Sequence, residues 1–167
     1  MTIRDAITAD LPAIVAIYNA AIPGRKASGD LEAVSVESRH GWFNEHSASE
    51  RPLWVVEREG EIRGWLSFQS FYGRPAYHAT AELSVYVMPR WQGKGYGRRL
   101  LTEAIGRAPG LGLRTLVAFI FGHNDASLGL FRGLGFETWA RLPEVAELDG
   151  VECDLLILGL KVAPGVR

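Results

Sequence analysis

Residues 79–101 read ATAELSVYVMPRWQGKGYGRRLL, and the fold turns on them. Up to Met88 the stretch is a strand. Alternation places Thr80, Glu82, Ser84 and Tyr86 on one face and Ala81, Leu83, Val85 and Val87 on the other. Pro89 follows, and then Gly93, Gly95 and Gly97 fall at alternate positions. Beyond them Leu100, Ala104 and Ala108, joined by Leu101 and Ile105, form an apolar stripe, which predicts a helix over 96–108 ended by Pro109-Gly110. TLVAFIF, 115–121, is continuously apolar and reads as a buried strand. Strand 79–88, helix 96–108 and strand 115–121 are therefore a βαβ unit, whose right-handed crossover makes the two strands parallel.

A strand that enters a helix through glycines leaves several main-chain N–H groups unpaired at the positive end of the helix dipole. Without Cβ atoms, the turn lets a phosphate approach. Lys94, Arg98 and Arg99 add charge at its rim. The Walker pattern fails because Arg98 follows the last glycine, and the dinucleotide fingerprint fails because the spacing is G-x-G-x-G. A flexible connector without a ligand is the competing reading of the turn.

Outward from this unit, 2–6 fits an edge strand, and 10–22 a helix with Pro12 in its first turn. Residues 23–34 form a twelve-residue loop, long enough to suspect function and placed to act as a lid. Ser35 or Ser38 caps a second helix running to about Glu45. RPLWVVEREGEIRGWLSFQSF, from Arg51, is a hairpin about Glu59-Gly60. Asn124 or Asp125 caps a helix to about Leu134, with Gly135 as its C′ residue. Residues 136–160 hold two more strands about Leu148-Asp149-Gly150. The order β-α-α-β-β-β-α-β-α-β-β predicts the α/β class, a mixed α+β sheet with helices on both faces. One domain over 1–167 is expected.

The 167 residues carry a net charge of -1, which gives no reason to expect a nucleic-acid or membrane partner. Cys153 is the only cysteine and the four histidines are scattered, so neither an intrachain disulfide nor a zinc site is expected. No stretch reaches the roughly 20 apolar residues of a membrane span, and the N-terminus has no secretory apolar run. A cytoplasmic protein is expected.

Val87-x-Pro89-x-x-Gln92-Gly-x-Gly-x-Gly97-x-x-Leu100 resembles the acyl-CoA signature of GNAT-type N-acetyltransferases, and the family's element order matches the one above across nearly the whole chain. The resemblance implies the GNAT fold and acetyl-CoA as cosubstrate, with no metal. It implies that main-chain amides about Gln92, Gly93, Lys94, Gly95, Tyr96, Gly97 and Arg98 hold the diphosphate, and that Asn124, with Ser127, meets the pantetheine arm. A splay beside Val85, Tyr86 and Val87 would free backbone N–H groups for the thioester carbonyl. IYNAAI at 17–22, WF at 42–43, AYHATAELSVYV at 76–87 and LGF at 134–136 are similar to the phosphinothricin acetyltransferase branch, which acetylates small amino-acid-like amines. Glu82 matches that branch's proposed base. Relatives often form dimers, so a homodimer is a further expectation.

The amine must lose a proton to attack a thioester, which gives Glu82 its role as general base. Arg74 could grip an acceptor carboxylate, with Phe71 and Tyr77 as pocket walls; Arg25 and Lys26 could also reach the pocket. Phe131 departs from the family, where tyrosine or histidine protonates the leaving thiolate; Tyr86 and His123 are the substitutes to consider. The acidic run Glu144, Glu147, Asp149, Glu152 and Asp154 is a second departure, read either as a cation-preferring acceptor site or as a solvated hairpin. A coenzyme-sensing module without turnover and a protein Nα- or lysine acetyltransferase are the alternatives.

Overall fold

The structure is a computed structural model that describes residues 1–162; the last five residues of the expected 1–167 unit lie outside the described residues. Its strands are β1 (Thr2–Asp5), β2 (Leu53–Arg58), β3 (Glu61–Ser70), β4 (Thr80–Val87), β5 (Thr115–Phe121), β6 (Glu137–Leu148) and β7 (Val151–Lys161). The helices are α1 (Leu11–Ala21), α2 (His40–Asn44), α3 (Tyr96–Arg107) and α4 (Asp125–Arg132). One seven-stranded sheet runs β1-β2-β3-β4-β5-β7-β6. Only the β4–β5 pair is parallel, as the crossover through α3 requires.

The alternation of β4 divides the core in two. Ala81 and Leu83 pack with Leu100, Leu101, Ala104, Leu116 and Leu128, beneath α3 and α4, and Val85 and Val87 lie against that cluster. Tyr86 faces the opposite layer, where α1 and α2 bring Ile14, Ile17, Trp42 and Phe43 onto Leu53, Val55 and Trp65. Trp65 Nε1 donates to Ile14 O over 3.1 Å and so fixes α1 to the sheet. Each buried leucine or isoleucine side chain contributes about 1.5–3 kcal/mol, so these two layers hold β4 rigidly between them.

Both hairpins turn as expected. Glu59-Gly60 and Asp149-Gly150 adopt φ of 56° and 76°, and of 52° and 81°, matching the two-residue turns that follow the strand twist. After α4, the N–H of Gly135 reaches Arg132 O at 3.1 Å and that of Phe136 reaches Phe131 O at 3.2 Å, the paired closure that a left-handed Gly135 (φ 98°) permits. The second helix is shorter than expected. A 3-10 turn over Glu37–Arg39 leads into α2, which spans only five residues. Gly41 and Asn44 are poor helix formers, and Trp42 and Phe43 are the apolar side chains that this helix packs on the core.

Candidate active site

The β4–β5 ladder pairs Thr80 with Thr115, Ala81 with Leu116 and Glu82 with Val117, and then ends, although both strands continue. Met88 N–H bonds to Arg63 O of β3 over 2.9 Å. By strand alternation, the N–H groups of Val85 and Val87 then point the other way, into the opening between β4 and β5. The opening leads from one face of the sheet to the other.

Mainly on the α3/α4 face lies a cleft of about 740 Å³, lined there by Val85, Val87, Gln92, Gly93, Gly95, Tyr96, Gly97, Arg98, Asn124 and Ser127 and reaching Tyr86 and the α1 residues Ala20 and Ala21 on the opposite face. All but Ala20 and Ala21 are sequence-predicted residues brought together by the parallel crossover, which sets the N-termini of α3 and α4 side by side. Gly93 and Gly95 hold φ of 71° and 88°, and a Cβ at either would meet nothing within 4 Å. They are glycines for their dihedral angles. Gly97 differs, since its Cβ would stand 3.2 Å from Leu130 Cδ2; here the missing side chain lets α3 approach α4. Arg99 N–H is the first to bond back, to Gly95 O at 2.9 Å. Among the described residues no acceptor meets the amides of Lys94, Gly95, Tyr96, Gly97 or Arg98. A row of open donors at the positive end of a twelve-residue helix, presented by a turn with glycine at 93, 95 and 97, fits a diphosphate.

Individual side chains sit differently from one another. Gln92 Nε2 donates to Val87 O over 3.1 Å and so ties the turn to the strand end. Tyr96 is buried, and only its main chain can serve a ligand. Lys94 leaves the cleft lining and rests its ammonium 4.5 Å from the Trp91 ring centroid. Asn124 caps α4: its Oδ1 accepts from Ser127 N at 3.2 Å while its Nδ2 donates to Lys26 O at 3.0 Å.

That last bond belongs to a set. His123 Nε2 donates to Arg25 O over 2.7 Å, Asn124 to Lys26 O, and Tyr86 Oη to Ala27 O over 2.8 Å. Three consecutive carbonyls of the 23–34 loop are thus held by three side chains of the site. Arg25 also pairs with Asp149 at 2.7 Å, which ties the loop to the acidic hairpin. Gly24 and Lys26 of this segment line both the coenzyme-side cleft and a second cavity of about 600 Å³ against β6 and β7.

Glu82 stands on the other face of the sheet, at the last rung of the β4–β5 ladder, opposite Gln69 on β3. Burial pushes its carboxyl above the ordinary range. Phe71 follows β3 beside it and stacks on Phe119 at 6.5 Å, and Tyr77 packs edge-on to Phe71 at 5.6 Å. Arg74 is exposed and in no ion pair among the described residues. Phe71 and Tyr77 therefore stand on the Glu82 side of the sheet, at the end of β4 remote from the glycine turn, and Arg74 lies in the exposed connection between them. Phe131 is buried against Phe136 at 5.0 Å, in the core beneath the cleft. Tyr86, read as a substitute proton donor, spends its hydroxyl on Ala27 and stacks on Trp65 at 4.7 Å; burial pushes its phenol up. His123 is committed to the loop. Sequence reasoning missed Arg63, a buried guanidinium beside Tyr96 and Trp91.

The family model described as the acetyltransferase (GNAT) family matches residues 12–136, from α1 through the turn after α4. The chain is a GNAT acetyltransferase. A Bacillus subtilis (strain 168) protein named "Putative phosphinothricin acetyltransferase YwnH" is 51% identical over 98% of this chain and 100% of its own. The L-methionine sulfoximine/L-methionine sulfone acetyltransferase of Pseudomonas paraeruginosa is 38% identical, over 98% of this chain and 95% of its own. A crystal structure of a GNAT superfamily phosphinothricin acetyltransferase from Sinorhizobium meliloti, in complex with acetyl-CoA, superposes with a TM-score of 0.91 at 30% identity, covering 97% of this chain and 88% of that one. This GNAT acetyltransferase thus has the expected fold, and acetyl-CoA is its donor. No group of three or more His, Cys, Asp or Glu able to hold a metal occurs among the described residues, and no helix there is long and apolar enough to cross a membrane.

Proposed function

We propose that this acetyltransferase acetylates the primary amine of a small amino-acid-like acceptor, with Glu82 as the base. The observation that carries the reading is the ladder ending at Glu82. It places Glu82, whose carboxyl has no ion pair or hydrogen bond among the described residues, where β4 parts from β5, and the coenzyme cleft begins beyond that point at Val85, Tyr86 and Val87. When bound, acetyl-CoA supplies an activated acyl carbon and a thiol leaving group.

The chain's residues do the remainder. Amides at the α3 N-terminus hold the diphosphate, and the Val85 and Val87 N–H groups offer donors to a carbonyl oxygen in the opening. An alkylamine is cationic at neutral pH, with a reference pKa of about 10.4 for lysine and about 7.7–8.0 for an α-amino group. Glu82 accepts its proton, directly or through one water, as nitrogen bonds to the acyl carbon and the carbon–sulfur bond breaks. A carboxyl raised by burial is a better proton acceptor than an exposed one. Water protonates the departing thiolate, since a free thiol has a pKa of about 8.5 and no titratable side chain stands at 131. Phe71, Tyr77 and Phe119 offer an aromatic wall, and Arg74 a cation for the acceptor's carboxylate. The two named relatives act on amino acids or analogues of them by their printed names, which supports the same acceptor class here.

Thiol release from acetyl-CoA, followed across amines and amino acids including sulfoximine and phosphinic amino acids, is the direct test. Acceptor-dependent release above the amine-free control is expected for at least one amino-acid-like amine. Release at the control rate throughout the panel rejects the reading. Arg74→Ala is expected to raise KM about tenfold for carboxylate-bearing acceptors and leave their amides unchanged, as loss of a charge-assisted bond predicts. An equal rise for both would remove Arg74 from the acceptor site.

A further inference from the structure

The glycine turn is built from residues with little stiffness of their own, yet it must hold its amides in one arrangement to receive a dianion. What stiffens it is a guanidinium outside the signature. Arg63 lies on β3 just after the hairpin turn, with its side chain only 6% exposed. Its Nη1 donates to Tyr96 Oη over 2.5 Å, its Nη2 donates to Glu59 Oε2 over 2.9 Å, and its Nε lies 3.5 Å from Glu61 Oε2. Its guanidinium carbon lies 3.7 Å from the centroid of the Trp91 ring. Trp91 Nε1 in turn donates to Glu61 Oε1 over 3.1 Å, and Arg90 pairs with the same oxygen. Trp91 stands immediately before Gln92 and the three glycines, and Tyr96 stands among them. One buried cation therefore grips the chain on both sides of Gly93–Gly95, and two hairpin carboxylates balance its charge.

We propose that Arg63 is a positioning residue for coenzyme binding: through Trp91 and Tyr96 it fixes the Gly93–Gly97 turn in the form that receives the diphosphate. It touches no reacting atom. The planar fork is required, because stacking on the indole and bonding to the phenol and a carboxylate together exceed what a lysine ammonium can do. The hairpin that carries Arg63 is thereby part of the donor site, although its loop lies outside the cleft. This inference rests on the reading that the turn holds the diphosphate.

The test compares two acyl donors: acetyl-CoA, and S-acetyl-pantetheine, which presents the same thioester without the diphosphate. Wild type is expected to prefer acetyl-CoA. Arg63→Met is expected to raise KM for acetyl-CoA about tenfold with kcat within about twofold, the scale of a misplaced binding group, and to leave kcat/KM for S-acetyl-pantetheine unchanged. Arg63→Lys should behave like Arg63→Met. Tyr96→Phe keeps the ring and removes only the hydroxyl that Arg63 grips; should Arg63→Met not fold, its smaller rise in KM for acetyl-CoA alone, about threefold, supports the clamp. Equal losses with both donors, or rescue by Arg63→Lys, would overturn it. A wild type that uses both donors equally would take the diphosphate cradle down with it, so the two failures are distinguishable.

Discussion

Glu82→Gln is expected to lower kcat/KM for the amine acceptor about 100-fold while leaving coenzyme A affinity, measured by calorimetry, within about twofold of wild type. Glutamine keeps the size of the side chain and cannot take a proton. Glu82 is not among the residues lining the coenzyme cleft, although Tyr86 on its own face is, so the substitution leaves the lining itself unchanged. The wild-type rate should rise with pH through a carboxyl pKa above the ordinary value of about 4.3, and that limb should vanish in the variant. Stability supplies an independent readout. The folded pKa is raised, so between the unfolded value and the folded one the native state holds a proton that the unfolded chain has lost. Glu82's contribution is then fully present below about pH 4.3 and is lost as pH rises through the folded pKa. Glu82→Gln should accordingly melt higher than wild type at neutral pH and lose that advantage in acid. Unchanged turnover would remove Glu82 from the mechanism, and a melting difference independent of pH would contradict its burial as a carboxylate.

Gly64→Ala should be among the most damaging single-methyl additions in this protein. Gly64 sits on β3 opposite Val87, and a Cβ there would lie 2.8 Å from Tyr86 O, 3.3 Å from Val87 Cγ2 and 3.4 Å from Val56 Cγ1. The closest of these atoms is backbone and cannot swing away. Overpacking of this kind costs about 1–3 kcal/mol, and each kcal/mol lowers the melting temperature by about 2–4 °C in a chain of this length. The strand segment pushed aside carries Val85 and Val87, so the variant should also show a higher KM for acetyl-CoA. Gly106→Ala is the matched control. Gly106 is exposed within α3 and a Cβ there meets nothing within 4 Å, so alanine should stabilise by about 0.5–1 kcal/mol. A Gly64→Ala variant that melts with wild type would show that β3 and β4 can separate without cost.

What could be read from the sequence was whatever repeats along the chain. The two-residue alternation of 80–87 assigned both faces of β4 correctly, and the helical stripe from Leu100 to Ala108 forced the parallel crossover that creates the cleft. Turn chemistry marked Glu59-Gly60 and Asp149-Gly150 because only a few residues tolerate those angles. The interactions that went unread join distant segments and leave no local mark. Arg63 lies in EREGEIRG, 57–64, where alternating charge looks like a solvated hairpin. Nothing there announces that Trp91 and Tyr96 will close over it. Gly64 gives no turn signal because its backbone is extended; its importance comes from the closeness of β4. Gly159 is equally unmarked: a Cβ there would be 2.1 Å from the ring of Trp139, across the pairing of β6 with β7. The bonds of His123, Asn124 and Tyr86 to the 23–34 loop were equally silent, because each ends on a peptide oxygen that every residue possesses.

That silence has an evolutionary counterpart. The segment is gripped by its peptide oxygens at Arg25, Lys26 and Ala27; the Arg25 side chain adds its own bond to Asp149, whereas the bonds at Lys26 and Ala27 survive any change of side chain. Mutation at 26 or 27 can then change the side chains along the cleft wall without rebuilding the scaffold.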